Sequence, residues 1–413
     1  MSVTQTAVPA RPVTVGIDWA KDNHAVCVVD ADGEPVQRLV IQHSKSGIGR
    51  LLGLLERHRV AGVGIERPDG PLVAALLGAG VELFVVAPSQ VKSLRRRYGS
   101  AGNKDDRFDA YVLADTVRTD RRRLVALRPD GSATVTLRTL VRARADLVNH
   151  RVALGNQLRA HLDTVLPGAV GLFCELDSPI SRAFLTAHPT QDAVNALTLD
   201  VFTAWLAGQG YRQKKPAVLL QRLTGAPAGV TGPAGVALAG VTAAYLTALT
   251  ALVEQIAVLE TQIADALAAH PDGRIFTSLP RAGTVRAARL LAEIGDARGR
   301  YPTAAALAGL AGVTPSTRES GQVRVVAFRW AVDKQLRGAV CDFAADSRRA
   351  SPWAADLYAK ARARGHRHPH AVRILARAWL GVIWKCWTTA TPYDPTRHGA
   401  LQALLNQHQT DAA

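Results

Sequence analysis

Cysteine is scarce in this chain. Cys27, Cys174, Cys341 and Cys386 are the four in 413 residues, and they lie far apart with no CxxC pair. That spacing excludes a cysteine zinc module and argues against a disulfide scaffold, so a reduced, cytosolic setting is expected. An apolar leader is missing from Met1 to Pro12, so no secretory signal is expected. Acids are short as well: Asp plus Glu total 34 against 50 for Lys plus Arg, a formal charge of +16. The deficit points to a polyanionic partner, either nucleic acid or an anionic membrane surface. From Leu223 to Val253 there is no charge at all. A spanning helix needs ~20 strongly apolar residues, and this stretch is too rich in Gly and Thr, with Pro227 and Pro233. It reads as a flexible loop leading into a buried helix. Nucleic acid is therefore the expected partner, with no membrane.

What is present is an ordinary globular balance, 48% hydrophobic and 20% charged, which excludes a wholly disordered chain. The length suits two to four domains at ~100–200 residues each. Val13–Asp18, His24–Asp30 and Val36–Ile41 are β-rich runs, the last two separated by an Asp30-Ala31-Asp32-Gly33 turn. They predict an antiparallel meander. A helix from about Ser46 to Arg59, a strand Gly62–Glu66, a helix Pro71–Leu77, a strand Glu82–Val86 and a helix Gln90–Tyr98 follow. The order β-β-β-α-β-α-β-α is that of a ribonuclease-H-like sheet, and an actin-like ATPase half-domain begins in much the same way. The latter needs a glycine and a hydroxyl soon after its first acid, and here Trp19-Ala20-Lys21 follow Asp18.

Asp18 ends the first strand and Glu66 the fourth, so neighbouring strands would bring both acids together. Lys104-Asp105-Asp106-Arg107-Phe108-Asp109-Ala110 then reads as a helix start. Asp106 and Asp109 share a face at i,i+3, as do Asp105 and Asp109 at i,i+4. Each acid alone is ordinarily a cap or a strand-end charge. Clustered carboxylates repel one another unless a hard cation such as Mg²⁺ binds them, and two such ions can drive phosphodiester cleavage.

Further along, Leu137–Leu166 and about Val241 to Ala269 are long helical patterns that could pair as a coiled coil, act as a dimer arm or join a plain bundle. Arg138, Arg142, Arg144, Arg151 and Arg159 lie on the first. Residues 170–235 are less patterned and read as an inserted subdomain. Arg95-Arg96-Arg97 and Arg121-Arg122-Arg123 are either solvated faces or phosphate contacts. Ser278 to Val285 precedes a helix Arg286–Ile294 in the manner of a helix-hairpin-helix, whose backbone N–H groups can meet a DNA phosphate. Ala311 to Gln322 is a loop by composition, with Gly321 leaving room beside Ser320 and with Arg318 and Arg324 able to hold a phosphate. His366, His368 and His370 suit a basic surface loop better than a metal site, because no acid or Cys adjoins them. Trp379, Trp384 and Trp387 with Ile383, at near-helical spacing, read as core or interface, with base stacking a lesser reading.

These motifs together resemble the DEDD-type insertion-sequence transposases, the family that includes pilin-gene invertases. Gly16-Ile17-Asp18 matches the family's opening, Gly64-Ile65-Glu66 its second acid, and Lys104 to Ala110 its K-x-D-x-x-D-A, which selects Asp106 and Asp109. Pro280 to Ala287 or Ala288 matches its hairpin with Arg281 in place of a glycine. Gly312 to Gly321 matches its serine loop and puts the nucleophile at Ser320. The resemblance covers about residues 13–165 and 240–390.

It implies an α/β plus all-α chain. A RuvC-like ribonuclease-H domain would span 13–125, coiled-coil helices 130–170 and 241–272, and a C-terminal transposase domain 273–392; the inserted subdomain, 171–240, is read from composition and lies outside the resemblance. It further implies Mg²⁺ on Asp18, Glu66, Asp106 and Asp109, and a phosphoserine link at Ser320. Element-end and target DNA, a guide RNA encoded by the element, and a homodimer or homotetramer are the implied partners. The competing readings are a metal-dependent nuclease or junction resolvase in which Ser320 is structural, and a non-catalytic nucleic-acid-binding protein.

Overall fold

The computed structural model describes residues 13–98, 105–321, 323–330 and 332–411. Two compact units result, residues 13–130 with 297–302 and residues 131–296 with 303–411.

The first unit is a mixed sheet with helices on both faces. Its strands are β1 (Thr14–Trp19), β2 (Asn23–Val29), β3 (Pro35–Gln42), β4 (Gly62–Ile65) and β5 (Leu83–Val85). Its helices are α1 (Lys45–Arg57), α2 (Pro71–Gly78), α3 (Pro88–Arg95) and α4 (Asp106–Asp120). The spatial order is β3-β2-β1-β4-β5, antiparallel through the first three strands and parallel from β1 through β4 to β5. The expected meander is thus present, in an order compatible with a ribonuclease-H-like sheet.

Period-two alternation divides the residues of the central strands between the faces. Val15, Ile17, Val26, Val28, Val63 and Ile65 join Leu51, Leu54, Leu72 and Leu76 in one core. Toward α4 the strands present small residues instead. Ala25, Cys27 and Val29 pack on Ala110 and Ala114, and Thr14 Oγ1 donates to the Ala114 carbonyl at 3.0 Å. A Cβ on Gly16 would fall 1.9 Å from the Ala110 carbonyl oxygen, and one on Gly64 would fall 2.7 Å from that of Leu113. The helix therefore rests on glycine, and its backbone lies closer to the sheet than any side chain allows.

The second unit is helical. Helix α5 (Ser132–Val165) is followed by the short helices α6 (Pro179–Ala187), α7 (Gln191–Asn195), α8 (Leu199–Gly208) and α9 (Pro216–Thr224), then by α10 (Gly232–Ala269). Helices α11 (Gly273–Thr277), α12 (Gly283–Ile294) and α13 (Ala304–Leu310) lead to the strands β6 (Ser316–Ser320) and β7 (Val323–Ala327). Helices α14 (Lys334–Ser347), α15 (Pro352–Ala363), α16 (His368–Thr388) and α17 (Gly399–Asp411) complete it.

Helices α5 and α10 run antiparallel. Thr134 bonds His270 at 2.8 Å, Arg144 bonds Glu260 at 2.6 Å, and His161 bonds Thr242 at 2.9 Å, one number falling as the other rises. At 1.5 Å per residue each is ~50 Å long or more. Helix α10 begins at Gly232, so the second half of the stretch read as a Gly/Pro loop is helical. Pro233 sits in its first turn, where a missing N–H costs nothing. Nor is α10 a buried helix: Leu246, Leu249, Ile256, Ile263 and Leu267 form a stripe, while Val236, Val241 and Val258 are exposed. Among the described residues it is the one helix long and apolar enough to cross a membrane by length and composition. Helices α6 to α9 share a core with the facing ends of α5 and α10, built on Phe173, Phe184, Phe202, Leu158 and Leu249.

Candidate active site

The acids sit where α4 begins over the carboxyl ends of β1 and β4. Asp18 continues the Thr14, Gly16 series along the face that α4 covers. Ile17 pairs with Ile65 in parallel register, so Glu66 stands one residue beyond the last pair, in register beside Asp18. Helix α4 runs against β1, its Ala110 over Gly16 and its first turn toward the strand's end. One carboxylate oxygen each from Asp18, Asp106 and Asp109 lies within 4.8 Å of the other two. Among the described residues this is the one cluster of three or more potential metal ligands. Glu66 is half-buried and is not in that cluster. Asp105 has a separate task as N-cap of α4, accepting from the Arg107 N–H at 3.0 Å. Lys104 lies outside the described residues.

Three carboxylates this close carry mutual repulsion, and part of it is met by protein. Asp109 is 2% exposed and receives a bidentate pair of hydrogen bonds from Arg95 Nε and Nη2 on α3. The helix N-terminus adds its partial positive charge. The donor set is all oxygen, which suits a hard divalent cation.

Trp19 and Arg67 follow Asp18 and Glu66 in sequence, and Trp19, packed on the other face of the sheet, makes contacts that the sequence did not announce. Arg67 lies 4.4 Å over the Trp19 ring, and Trp19 stacks on His24. His24 is fully buried; its Nδ1 accepts from the Ala20 N–H, and its Nε2 lies 2.9 Å from His43 Nδ1. Burial, then His43, pushes the His24 pKa down, which keeps the ring neutral. Asp115 on α4 is likewise buried, bonded by Arg118 Nε at 2.7 Å and by the Tyr98 hydroxyl. Burial and that carboxylate push the Tyr98 phenol far up. Arg118 also reaches the Ala31 carbonyl, so this trio ties α4 to the β2–β3 turn.

Ser320 lies in the second unit. The segment read as a loop is irregular only in its first part: Ser316–Ser320 is one strand of a hairpin, in which Ser316 pairs with Ala327 and Ser320 with Val323. Thr317 and the Val323, Val325, Val326 run favour extended backbone, and Gly321 supplies the turn at φ +57°. Gly321 has open space around it, so its glycine serves the backbone angle rather than room for Ser320. Ser320 is exposed. The side chains of Arg318 and Arg324 lie outside what the structure describes.

Several candidate phosphate contacts are already engaged. Arg121 pairs with Glu82 and Arg123 with Asp120. On α5, Arg138 donates to the Ala292 carbonyl at 2.7 Å, Arg142 clasps the buried Glu293, and Arg151 pairs with Asp177. Arg281 adopts φ +57°, the left-handed angle that a glycine would take at no cost, and pairs with Asp346. His368 opens α16 with Pro369 in its first turn, so the Gly365–His370 segment is a loop only in its first half. The His366 and His370 rings are 4.2 Å apart. Trp379 and Trp387 are core: their indole N–H groups donate to Ser347 Oγ and the Gly295 carbonyl.

Comparison with known proteins gives the family. A family model described as "Transposase", of the IS110 DEDD type, matches residues 15–167. A second, described as "Transposase IS116/IS110/IS902 family", matches residues 273–359. A Streptomyces coelicolor protein whose name assigns it to transposition of the IS117 mini-circle is 33% identical over 401 residues, 93% of this chain and 96% of that protein. The 42 kDa protein of insertion element IS900 from Mycobacterium paratuberculosis is 29% identical over 94% of this chain and 98% of its own length. The 44.8 kDa protein of IS116 from Streptomyces clavuligerus is 28% identical over 93% and 98%. With two family models matched and a relative this similar along almost its whole length, the chain belongs to the IS110 family of DEDD transposases.

Proposed function

We propose that this transposase cuts and rejoins DNA strands with Ser320 as nucleophile and with Mg²⁺ at Asp18, Glu66, Asp106 and Asp109. The observation that carries the reading is the carboxylate cluster at the head of α4, with its oxygens within 4.8 Å of one another. Family membership supports divalent-metal dependence and DNA as substrate. The bound cation would supply Lewis-acid polarisation of the scissile phosphate.

The protein's own groups do the rest. Asp18, Asp106 and Asp109 hold their carboxylates on one side of the site, oriented by β1 and by the first turn of α4. Arg95 fixes the Asp109 rotamer and offsets its charge. Ser320 Oγ attacks phosphorus and gives up its hydroxyl proton, a P–O bond to the DNA strand breaks as the P–Oγ bond forms, and the leaving oxygen takes up one proton, so that none is gained or lost. Attack by another strand's hydroxyl reverses the exchange and frees the serine, so no bond energy is lost and no oxidant or reductant is needed. We read the N-terminal unit as RuvC-like, the α5/α10 pair as a coiled-coil arm of a homodimer or homotetramer, and the working complex as guided by an element-encoded RNA in the bacterial cytosol.

The test is a denaturing gel for a protein–DNA adduct, from the chain expressed with its flanking element DNA. The wild type should give an adduct, and Ser320→Ala should give none. Asp18→Ala should abolish cleavage while leaving a folded protein. Mg²⁺-dependent nicking that survives Ser320→Ala would point instead to a nuclease. Loss of the adduct in Ser316→Ala but not in Ser320→Ala would move the nucleophile.

A further inference from the structure

Immediately after β7, Phe328-Arg329-Trp330 carries an aromatic pair that the core does not use. Trp330 is 78% exposed, the most exposed large hydrophobic side chain among the described residues. It meets the Phe328 ring edge to face, with centroids 4.8 Å apart and planes at 79°. That arrangement braces the indole against one neighbour while most of its surface stays in solvent. Two guanidiniums lie against the same Phe328 ring, Arg337 of α14 at 4.9 Å and Arg373 of α16 at 4.7 Å. Both also bear on the Cys341 thiol, whose pKa burial raises and these two charges lower. Among the described residues, neither arginine pairs with a carboxylate; the nearby Asp342 and Asp346 are taken by Arg286 and Arg281. Arg377 follows Arg373 by one helical turn and is exposed.

We propose that this patch is a stacking site for an unpaired nucleotide, with the Trp330 indole taking the base and Arg337 and Arg373 the flanking phosphates. An exposed indole beside two cations without acid partners matches a ligand that offers a flat π-face and a negative charge a few ångströms apart. A single nucleic-acid strand has both on every residue, whereas a duplex hides its base faces. An apolar protein surface would satisfy the indole and leave the two guanidiniums unmatched. The proposal rests on the reading above only in taking nucleic acid as the substrate.

The test measures binding alone. The full-length chain in EDTA is titrated against fluorescein-labelled oligothymidylate and oligouridylate of about 15 nucleotides, and against a duplex of that length, by anisotropy. Trp330→Ala should weaken single-strand binding about tenfold, the size of one lost base–aromatic stack, with less than about a twofold change on duplex. Trp330→Phe should recover most of the loss. Whether DNA or RNA shows the larger loss identifies the strand. Equal losses on single strand and duplex, no loss on either, or no binding by the wild type would overturn the proposal. So would a fall in particle mass by light scattering in Trp330→Ala with strand affinity intact, which would assign the patch to protein–protein contact. Because no cleavage is read, a missing serine adduct leaves this result standing, and failure here leaves the serine chemistry untouched.

Discussion

The contact most directly responsible for the carboxylate cluster is Gly16 against α4, and Gly16→Ala tests it. The new Cβ would meet the Ala110 carbonyl oxygen at 1.9 Å, the Ala114 nitrogen at 2.5 Å and Leu113 Cβ at 2.8 Å. Two of the three are backbone atoms of one helix, so no rotamer change relieves the clash and α4 must withdraw by roughly 1–2 Å. Overpacking of this kind costs about 1–3 kcal/mol, and a rigid neighbour puts it at the upper end. Replacing glycine in a strand returns about 0.5–1 kcal/mol, because the unfolded chain loses freedom. The net expectation is a loss of ~2 kcal/mol. For a unit of this size that lowers the melting temperature by roughly 5–10 °C. Asp109 precedes Ala110, so the displacement also spreads the three carboxylates. Terbium luminescence titration should then show weaker cation binding than in the wild type. Gly53→Ala in α1 is the control, since nothing lies within 4 Å of its Cβ; it should stabilise by about 0.5–1 kcal/mol. A Gly16→Ala protein as stable as Gly53→Ala, or one that binds terbium as the wild type does, would refute the claim that glycine sets the height of α4.

Arg142→Met strips the bidentate partner from Glu293, whose side chain is buried, and should cost about 3 kcal/mol in urea unfolding. The double variant with Glu293→Met should recover much of that, and a single variant as stable as the wild type would show the carboxylate finding another partner. The Arg281 hydrogen bond, helped by the Arg286 and Arg349 charges, holds the Asp346 carboxyl below the usual carboxylate range against the opposing effect of burial. Its stabilisation is therefore present above the unfolded-state pKa of ~3.9 and lost as pH falls through and below it. The stability gap between wild type and Asp346→Asn should narrow steadily toward pH ~3, and a gap independent of pH would contradict this. Gly321→Ala should cost about 1 kcal/mol of hairpin stability, because alanine pays for φ +57° where glycine does not. Hydrogen exchange of the β6–β7 amides reads that cost, and Gly321→Asn should fall between the two.

The sheet was legible because its strands are short β-rich runs and its turns carry Asp-Gly or Pro-Asp-Gly. Register was the further gain from the structure: Gly16-Ile17-Asp18 and Gly64-Ile65-Glu66 share a glycine, isoleucine, acid order, and β1 and β4 lie side by side in that register under one helix. The glycines allow the helix to approach, and Asp18, two residues on from Gly16, meets its first turn. Spacing alone also left Asp105 and Asp106 equivalent. The choice is made by the backbone, since an extended Asp105 caps the helix whereas Asp106 is already inside it. Arg95 gave no sign of its place, because a run of three arginines says nothing about which one turns inward.

The stretch between the long helices was opaque for a different reason. Helices α6 to α9 are five to ten residues long, too short for a 3.6-residue pattern to repeat. Their starts are nevertheless written in the chain: Ser178, Thr190 and Thr198 each accept a hydrogen bond from the N–H three residues on. Caps can therefore be read where periodicity cannot. The hairpin that carries Ser320 failed in the opposite sense. Its threonine and serines look like loop, and only the paired β-branched positions beyond Gly321 reveal a strand. That difference fixes the backbone at Ser320, which pairs with Val323 beside a tight turn, where an open loop would leave it free.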